Sequence, residues 1–105
     1  MIIMAKNNNL EKFQNDTTTL CNAFLFLNDQ KEIFAFLRDI LTEEEMKEFQ
    51  QRLDIAVRLH YKTPYTKIEK ELGVSSTTIA RVSKFLQWPY GWYKKVIERM
   101  YEDNK

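Results

Sequence analysis

Residues 65–84, YTKIEKELGVSSTTIARVSK, decide how the rest of the chain is interpreted. Their apolar residues have the spacing of two short helices that pack against each other across a turn. These residues are Ile68, Leu72, Val74, Ile79 and Val82. Gly73 can adopt the left-handed backbone conformation that often follows a helix. The stretch therefore predicts a helix-turn-helix, and we place its bounds at residues 64–87.

Capping residues support both helices of this motif. Thr63 and Pro64 are predicted to be the N-cap and the first position of the first helix. Ser75 or Ser76 is predicted to cap the second helix. Pro89 is predicted to end it, because proline cannot continue a helical hydrogen-bond pattern.

The outer face of the second helix is made of small, polar and basic side chains. Small residues permit close approach to a DNA major groove about 12 Å wide, and hydroxyl and guanidinium groups bind base edges or phosphates. The predicted DNA-binding residues are Thr66, Lys67, Ser75, Ser76, Thr77, Thr78, Ala80, Arg81 and Lys84. The alternative is an ordinary pair of core helices, since two helices around a glycine occur in many folds. Glu69, near the helix crossing, must point outward or be paired, because an unpaired buried carboxylate is costly.

The composition indicates one small helical domain. The chain has 105 residues, with only two glycines and two prolines for tight turns. This length excludes a two-domain enzyme. We predict a flexible arm or weak first turn over residues 1–15 and a single helical domain over residues 16–105. The apolar run at the start is too short for a signal peptide or a membrane span, so we expect a cytoplasmic protein.

Three helix starts are predicted before the motif. Threonines at positions 17–19 offer capping oxygens to an apolar helix, in which Cys21 is interpreted as a small core residue. Asp29 and Glu32 have capping-box spacing. Residues 42–45, TEEE, repeat this spacing more strongly and begin a long helix that ends near His60.

The long helix has more apolar surface than one interior can cover. Ile55 and Leu59 lie off its main apolar face. That face is predicted to contain Met46, Phe49, Leu53, Ala56, Val57 and His60. Because the two preceding helices are also poorly covered by polar residues, we predict that a second chain completes the core as a homodimer.

The charged and reactive residues do not indicate catalysis. The segment up to Pro64 has eight basic and ten acidic residues, and the remainder has eight basic and five acidic ones, which is only a weak sign of a polyanion partner. We predict no catalytic residue, no metal site and no cofactor. His60 is interpreted as a helix C-terminal cation or an interface residue. The aromatic residues between Trp88 and Tyr93 either seal a core or stack on bases.

Several segments together resemble the Trp repressor superfamily, especially its Trp-repressor-like (YerC/YecD) branch. The matching segments are residues 37–45, LRDILTEEE, residues 51–53, QRL, residues 68–75, IEKELGVS, and residues 78–83, TIARVS. The resemblance implies an all-α fold of six helices per chain, with the N-terminal helices of two chains interlocked in a homodimer. It also implies a bacterial, nucleoid-associated transcription regulator, which we expect to be a repressor. This regulator is expected to read a pseudo-palindromic operator in double-stranded DNA.

The same resemblance implies the remnant of a ligand pocket. In tryptophan-responsive members the indole ring lies between two arginines, whose positions correspond to Arg52 and Arg81, with Thr42 at the edge. Val82 stands where those members have glycine, and Phe85 stands where they have serine. Overfilling such a site costs about 1–3 kcal/mol, so tryptophan is not expected to be the corepressor, and any other effector is left open. Alternatively, the two arginines bind phosphate or pair with carboxylates at helix ends.

Two other functions stay open. A helical protein-interaction module would use the apolar helices and the aromatic C-terminal segment to bind another protein. A DNA-packaging protein would bind without sequence preference. Binding to random duplex DNA that weakens with salt distinguishes a DNA-binding protein from an interaction module.

Overall fold

Regular secondary structure in the described residues, 2–87 and 91–102, is entirely α-helical in this computed structural model. The helices are α1 Ile2–Asp16, α2 Thr18–Phe24, α3 Gln30–Ile40, α4 Glu43–His60, α5 Tyr65–Leu72, α6 Ser76–Gln87 and α7 Trp92–Tyr101. Helices α2 to α7 confirm the predicted all-α, six-helix fold. Helix α1 is additional and lies in the segment predicted to be an arm. None of these helices combines the length and apolar content needed to cross a lipid bilayer.

The chain divides into two compact units, Met1–Thr42 and Glu43–Lys105. The N-terminal unit contains α1 to α3, and the C-terminal unit contains α4 to α7. The predicted organisation, an arm over residues 1–15 and one domain over residues 16–105, stays a prediction.

Thr17 is the N-cap residue of α2, but neither it nor Thr18, the first residue of α2, makes the predicted capping hydrogen bond with its side chain. The Thr17 hydroxyl donates to the carbonyl oxygens of Phe13 and Gln14, at 2.9 and 3.3 Å. The Thr18 hydroxyl donates to Gln14 and Asn15, at 3.1 and 3.0 Å. Because α1 is helical up to Asp16, its terminal carbonyl groups are available as acceptors, and they engage both hydroxyls.

The start of α3 confirms the predicted capping residues. The Glu32 backbone amide donates to the Asp29 carboxylate at 2.9 Å, and the Glu32 carboxylate accepts from the Asn28 backbone amide at 2.8 Å. Phe24 and Phe36 make an edge-to-face contact between α2 and α3, with ring centroids 5.5 Å apart. No side chain in residues 9–42 is fully buried. Cys21 is exposed in the single chain, so it is not part of a core that one chain forms by itself.

The C-terminal unit has a closed apolar core to which all four of its helices contribute. The fully buried residues are Ile55, Ala56, Ile68, Ile79, Val82 and Ile97. Leu72 and Val74 pack against this core and are partly buried. The inward positions predicted for the helix-turn-helix are thus confirmed.

The predicted inner face of α4 requires correction. Ile55, predicted to lie off that face, is completely buried, whereas Phe49, predicted to lie on it, is 51% exposed. Helices α5, α6 and α7 all contact α4. Because neighbours cover several sides of its C-terminal half, both predicted sets of apolar residues are at least partly buried there.

Polar contacts attach α5 and α7 to the C-terminal half of α4. The Arg58 guanidinium pairs with Glu71 at 3.0 Å. The Tyr61 hydroxyl donates to the Glu102 carboxylate at 2.8 Å, and this hydrogen bond, with partial desolvation, raises the pKa of Tyr61 to about 12. Helix α6 ends at Gln87. Pro89, with Trp88 and Tyr90 of the predicted aromatic cluster, lies outside the described residues.

Candidate nucleic-acid interface

The turn between α5 and α6 has the geometry that its sequence predicts. Gly73 is left-handed, with φ 65° and ψ 37°, and its amide donates to the Glu69 carbonyl at 2.8 Å. A residue with a side chain is strained in this conformation, whereas glycine is not. Three residues, 73–75, therefore separate the two helices, as is typical of a helix-turn-helix.

Ser75 caps α6, and it is one of the two residues, Ser75 and Ser76, that were predicted for this role. Its hydroxyl oxygen accepts from the Thr78 amide at 3.2 Å and lies 3.1 Å from the Thr78 hydroxyl. The first residue of α5 differs from the prediction: Pro64 is the N-cap, with an extended backbone, and α5 begins at Tyr65. The ring fixes φ of Pro64 at −62° without requiring a helical ψ, and its ψ is 147°.

The predicted outer face of α6 is largely accessible. Ser76 and Thr77, in its first turn, are exposed, as are Arg81 and Lys84 further along the helix. Among the remaining predicted contact residues, Ser75, Thr66 and Lys67 are exposed, and Thr78 and Ala80 are half-buried. The fold therefore leaves small hydroxyl side chains and two basic side chains together on one side of this helix.

The basic side chains predicted to contact DNA, on α5 and α6, are not neutralised within the described structure. No carboxylate of the described residues forms an ion pair with Lys67, Arg81 or Lys84. Glu69 is half-buried and so meets the requirement that this carboxylate stay near solvent. The exposed cations are thus available to an anionic partner such as a phosphate backbone.

A cleft of about 420 Å³ lies between α4 and α6. Its lining residues are Glu48, Gln51, Arg52, Thr78, Arg81, Val82 and Phe85. Four of the five residues predicted for a ligand-pocket remnant are therefore brought together. Thr42, the fifth, belongs to the N-terminal unit, and its place in a pocket stays a prediction.

Within the cleft, Val82 is buried, whereas Phe85 is 63% exposed. The Arg52 guanidinium lies 5.6 Å from the centroid of the Phe49 ring, at cation–π distance. The sequence prediction missed Glu48 and Gln51. A partial signal was available in α4, since Glu48 is three residues before Gln51 and four before Arg52 and so shares a face with them.

Comparison with known proteins identifies the family. The family model described as Trp repressor protein matches residues 15–101. The chain belongs to the Trp repressor family. Within this family it is 36% identical, over 83 residues, to the uncharacterized protein YerC of Bacillus subtilis, an alignment that covers 79% of this chain and 80% of YerC. The resemblance to the Trp-repressor-like branch is therefore confirmed.

Solved structures of this Trp repressor type have the same fold. A TrpR-like protein from Eubacterium eligens is 33% identical, with a TM-score of 0.74, over 82% of this chain and 89% of that one. A candidate Trp repressor from Staphylococcus aureus is 34% identical, with a TM-score of 0.80, over 87% and 92% of the two chains. Residues 15–101, matched by the Trp repressor family model, include α2 to α7 and hence the complete helix-turn-helix.

Proposed function

We propose that this protein is a dimeric transcription regulator, a repressor, that reads a pseudo-palindromic operator in double-stranded DNA. The observation that carries this proposal is the exposed outer face of α6, with its hydroxyl and basic side chains beside a capped glycine turn. Membership of the Trp repressor family supports it.

The first turn of α6 is suited to base contacts, and its later turns to the phosphate backbone. In helix-turn-helix proteins the N-terminal residues of the second helix contact base edges in the major groove. Ser76 and Thr77 occupy these positions and are short enough for close approach. Lys84 lies near the C-terminal end of α6, where a flexible cation binds phosphate without selecting bases.

We propose that a second copy of the chain buries the exposed apolar side chains of the N-terminal unit. Leu25 and Phe26 are 79% and 81% exposed, and Phe34 is 53% exposed. Large exposed apolar surface marks an interaction site in soluble proteins. An interlocked homodimer would bury these side chains. It would also present two helix-turn-helix motifs, one per chain, to half-sites about one helical turn apart.

Selection of bound duplexes from a random library, with the full-length protein, tests this proposal. We expect enrichment of a two-fold symmetric sequence and affinity that falls as salt increases. Enrichment without symmetry contradicts a dimeric reader, and equal binding to all sequences supports DNA packaging. No binding at low salt contradicts DNA recognition and supports a protein-interaction module.

Two substitutions on α6 separate base reading from phosphate binding. Thr77→Ala is expected to lower discrimination between the selected sequence and random DNA, because a good base contact contributes about 1–3 kcal/mol. Lys84→Ala is expected to weaken both complexes alike and to reduce the slope of affinity against salt. Fluorescence anisotropy at several salt concentrations measures both effects. Equal losses on both kinds of DNA for both variants would contradict this division of roles.

Tryptophan is not the proposed effector, since Val82 and Phe85 contribute branched and aromatic bulk to the α4–α6 cleft. Isothermal titration of the protein with tryptophan is expected to give no binding at micromolar concentrations. The variant Phe85→Ser is the matched comparison, because Phe85 is largely exposed and its replacement leaves the core unchanged. Micromolar binding by the unmodified chain would overturn this part of the proposal.

A further inference from the structure

Three possible metal ligands meet where α4 and α7 end, and none of them belongs to α6. They are His60, Glu98 and Glu102, and one ligand atom from each lies within 4.8 Å of the other two. His60 is the last residue of α4, and Glu102 directly follows the last residue of α7. Glu98 and Glu102 are one helical turn apart, which places their carboxylates on the same side of α7.

One distance in this cluster already equals that between two ligands of a coordination shell. Metal–ligand bonds of about 2.0–2.2 Å in a tetrahedral arrangement place the ligand atoms about 3.3–3.6 Å apart. The His60 Nε2 and Glu102 Oε2 atoms are already 3.4 Å apart. The remaining separations lie within 4.8 Å, and rotation of the two glutamate side chains, which are partly exposed to solvent, would have to shorten them.

The His60–Glu102 contact is long for a hydrogen bond. An N–H···O bond is most often about 2.9–3.0 Å long, and bonds to a charged acceptor are shorter still. The observed 3.4 Å is longer than both and suits two ligands that share one cation. The Tyr61 hydroxyl donates to the same Glu102 oxygen at 2.8 Å and thereby orients the carboxylate, as partners of metal ligands commonly do.

The local electrostatics favour a cation at this position. Two carboxylates converge there, and the C-terminal end of a helix contributes about half a negative elementary charge. Two basic side chains of α7 are engaged elsewhere: Arg99 and Lys95 lie over the Trp92 ring, at 5.3 and 4.3 Å from its centroid. Arg58 of α4 is paired with Glu71.

We propose that His60, Glu98 and Glu102 bind a divalent first-row transition-metal ion, for which Zn²⁺ is the test ion. One imidazole nitrogen with two carboxylate oxygens is a ligand set that such ions accept, and water completes the shell. The bound ion joins the end of α4 to the end of α7. It therefore stabilises the attachment of α7 to the helix-turn-helix scaffold, independently of any DNA sequence preference.

Calorimetric titration of the full-length, tag-free protein with Zn²⁺ tests this proposal. The Cys21→Ser background removes an exposed thiol that would otherwise bind zinc. We expect one Zn²⁺ per chain and a melting temperature that rises by several degrees in excess metal, since a ligand that binds only the folded state stabilises it. Co²⁺ in place of Zn²⁺ is expected to give visible absorption bands of a low-symmetry site.

Three variants assign the ligands. His60→Ala, Glu98→Gln and Glu102→Gln are each expected to lower Zn²⁺ affinity by at least about tenfold and to remove the Co²⁺ bands. Glu43→Gln, an exposed acid at the opposite end of α4, is the control and should bind as the parent does. If His60→Ala does not fold, as judged by circular dichroism, the Zn²⁺ affinity of Glu98→Gln tests the proposal instead, because the Glu98 side chain is partly exposed. The proposal is overturned if no binding reaches one ion per chain, or if Glu98→Gln binds like the control.

Discussion

Replacement of Ile79 by alanine is expected to lower the free energy of unfolding by about 2–5 kcal/mol, because a fully buried isoleucine leaves a cavity when it is truncated. Ile79 is 0% exposed and lies in α6, between the turn at Gly73 and the basic residues Arg81 and Lys84. It shares the core with Ile68 of α5 and Ile55 of α4, so its loss weakens contacts with both helices. Urea unfolding monitored by circular dichroism measures the change.

Thr77→Ala is the matched control for this prediction. Thr77 lies two residues from Ile79 in the same helix and is exposed. Its replacement is expected to change the free energy of unfolding by no more than about 0.5 kcal/mol. Both variants are compared at one protein concentration, because the stability of a dimer depends on concentration. A loss below about 1 kcal/mol for Ile79→Ala would contradict its place in the core.

Replacement of Phe34 by aspartate is expected to convert the proposed dimer into monomers. The side chain is 53% exposed on α3, and burial of a new carboxylate against a second chain would be costly. Operator affinity is then expected to fall by about 10²-fold or more. Once one of two linked DNA-binding motifs is bound, the second binds at a high effective concentration, and a monomer lacks this gain. Analytical ultracentrifugation measures the mass, which for a dimer is twice the 12.7 kDa of one chain.

Gln30→Asp provides the control for charge on the same helix. Gln30 is exposed at the start of α3, where a carboxylate interacts favourably with the helix dipole. This variant should stay dimeric and bind the operator normally. The proposed dimer interface on the N-terminal unit would be contradicted if the parent protein sediments as a monomer. It would also be contradicted if the Phe34→Asp variant keeps its dimeric mass.

The local features of this fold were predictable because their signals lie within a few residues of each other. The Asp29–Glu32 cap, the glycine turn and the Ser75 cap each depend on hydrogen bonds between residues no more than four positions apart. The periodicity of Ile68 and Ile79 likewise indicated which sides of α5 and α6 face inward. The threonines after α1 show the limit of such signals, since they have acceptors only because the preceding segment is helical.

The candidate DNA-binding face was identified from sequence because its members lie in one helix or beside it. The α4–α6 cleft was identified only through the family resemblance. Its lining comes from two helices that are distant in the chain, and no spacing rule connects Arg52 with Arg81. Glu48 and Gln51 were missed for the same reason, since their proximity to Phe85 depends on how α4 packs against α6.

The sequence by itself determined the helical class, the turn at Gly73 and the polar character of the face that follows it, because helix caps and apolar periodicity are short-range properties of a chain. Only the tertiary structure decided that Ile55 is buried, that Phe49 is exposed, and that His60 meets a carboxylate 42 residues away. Those outcomes depend on which helices surround α4, and this packing arises from long-range contacts that no local pattern encodes.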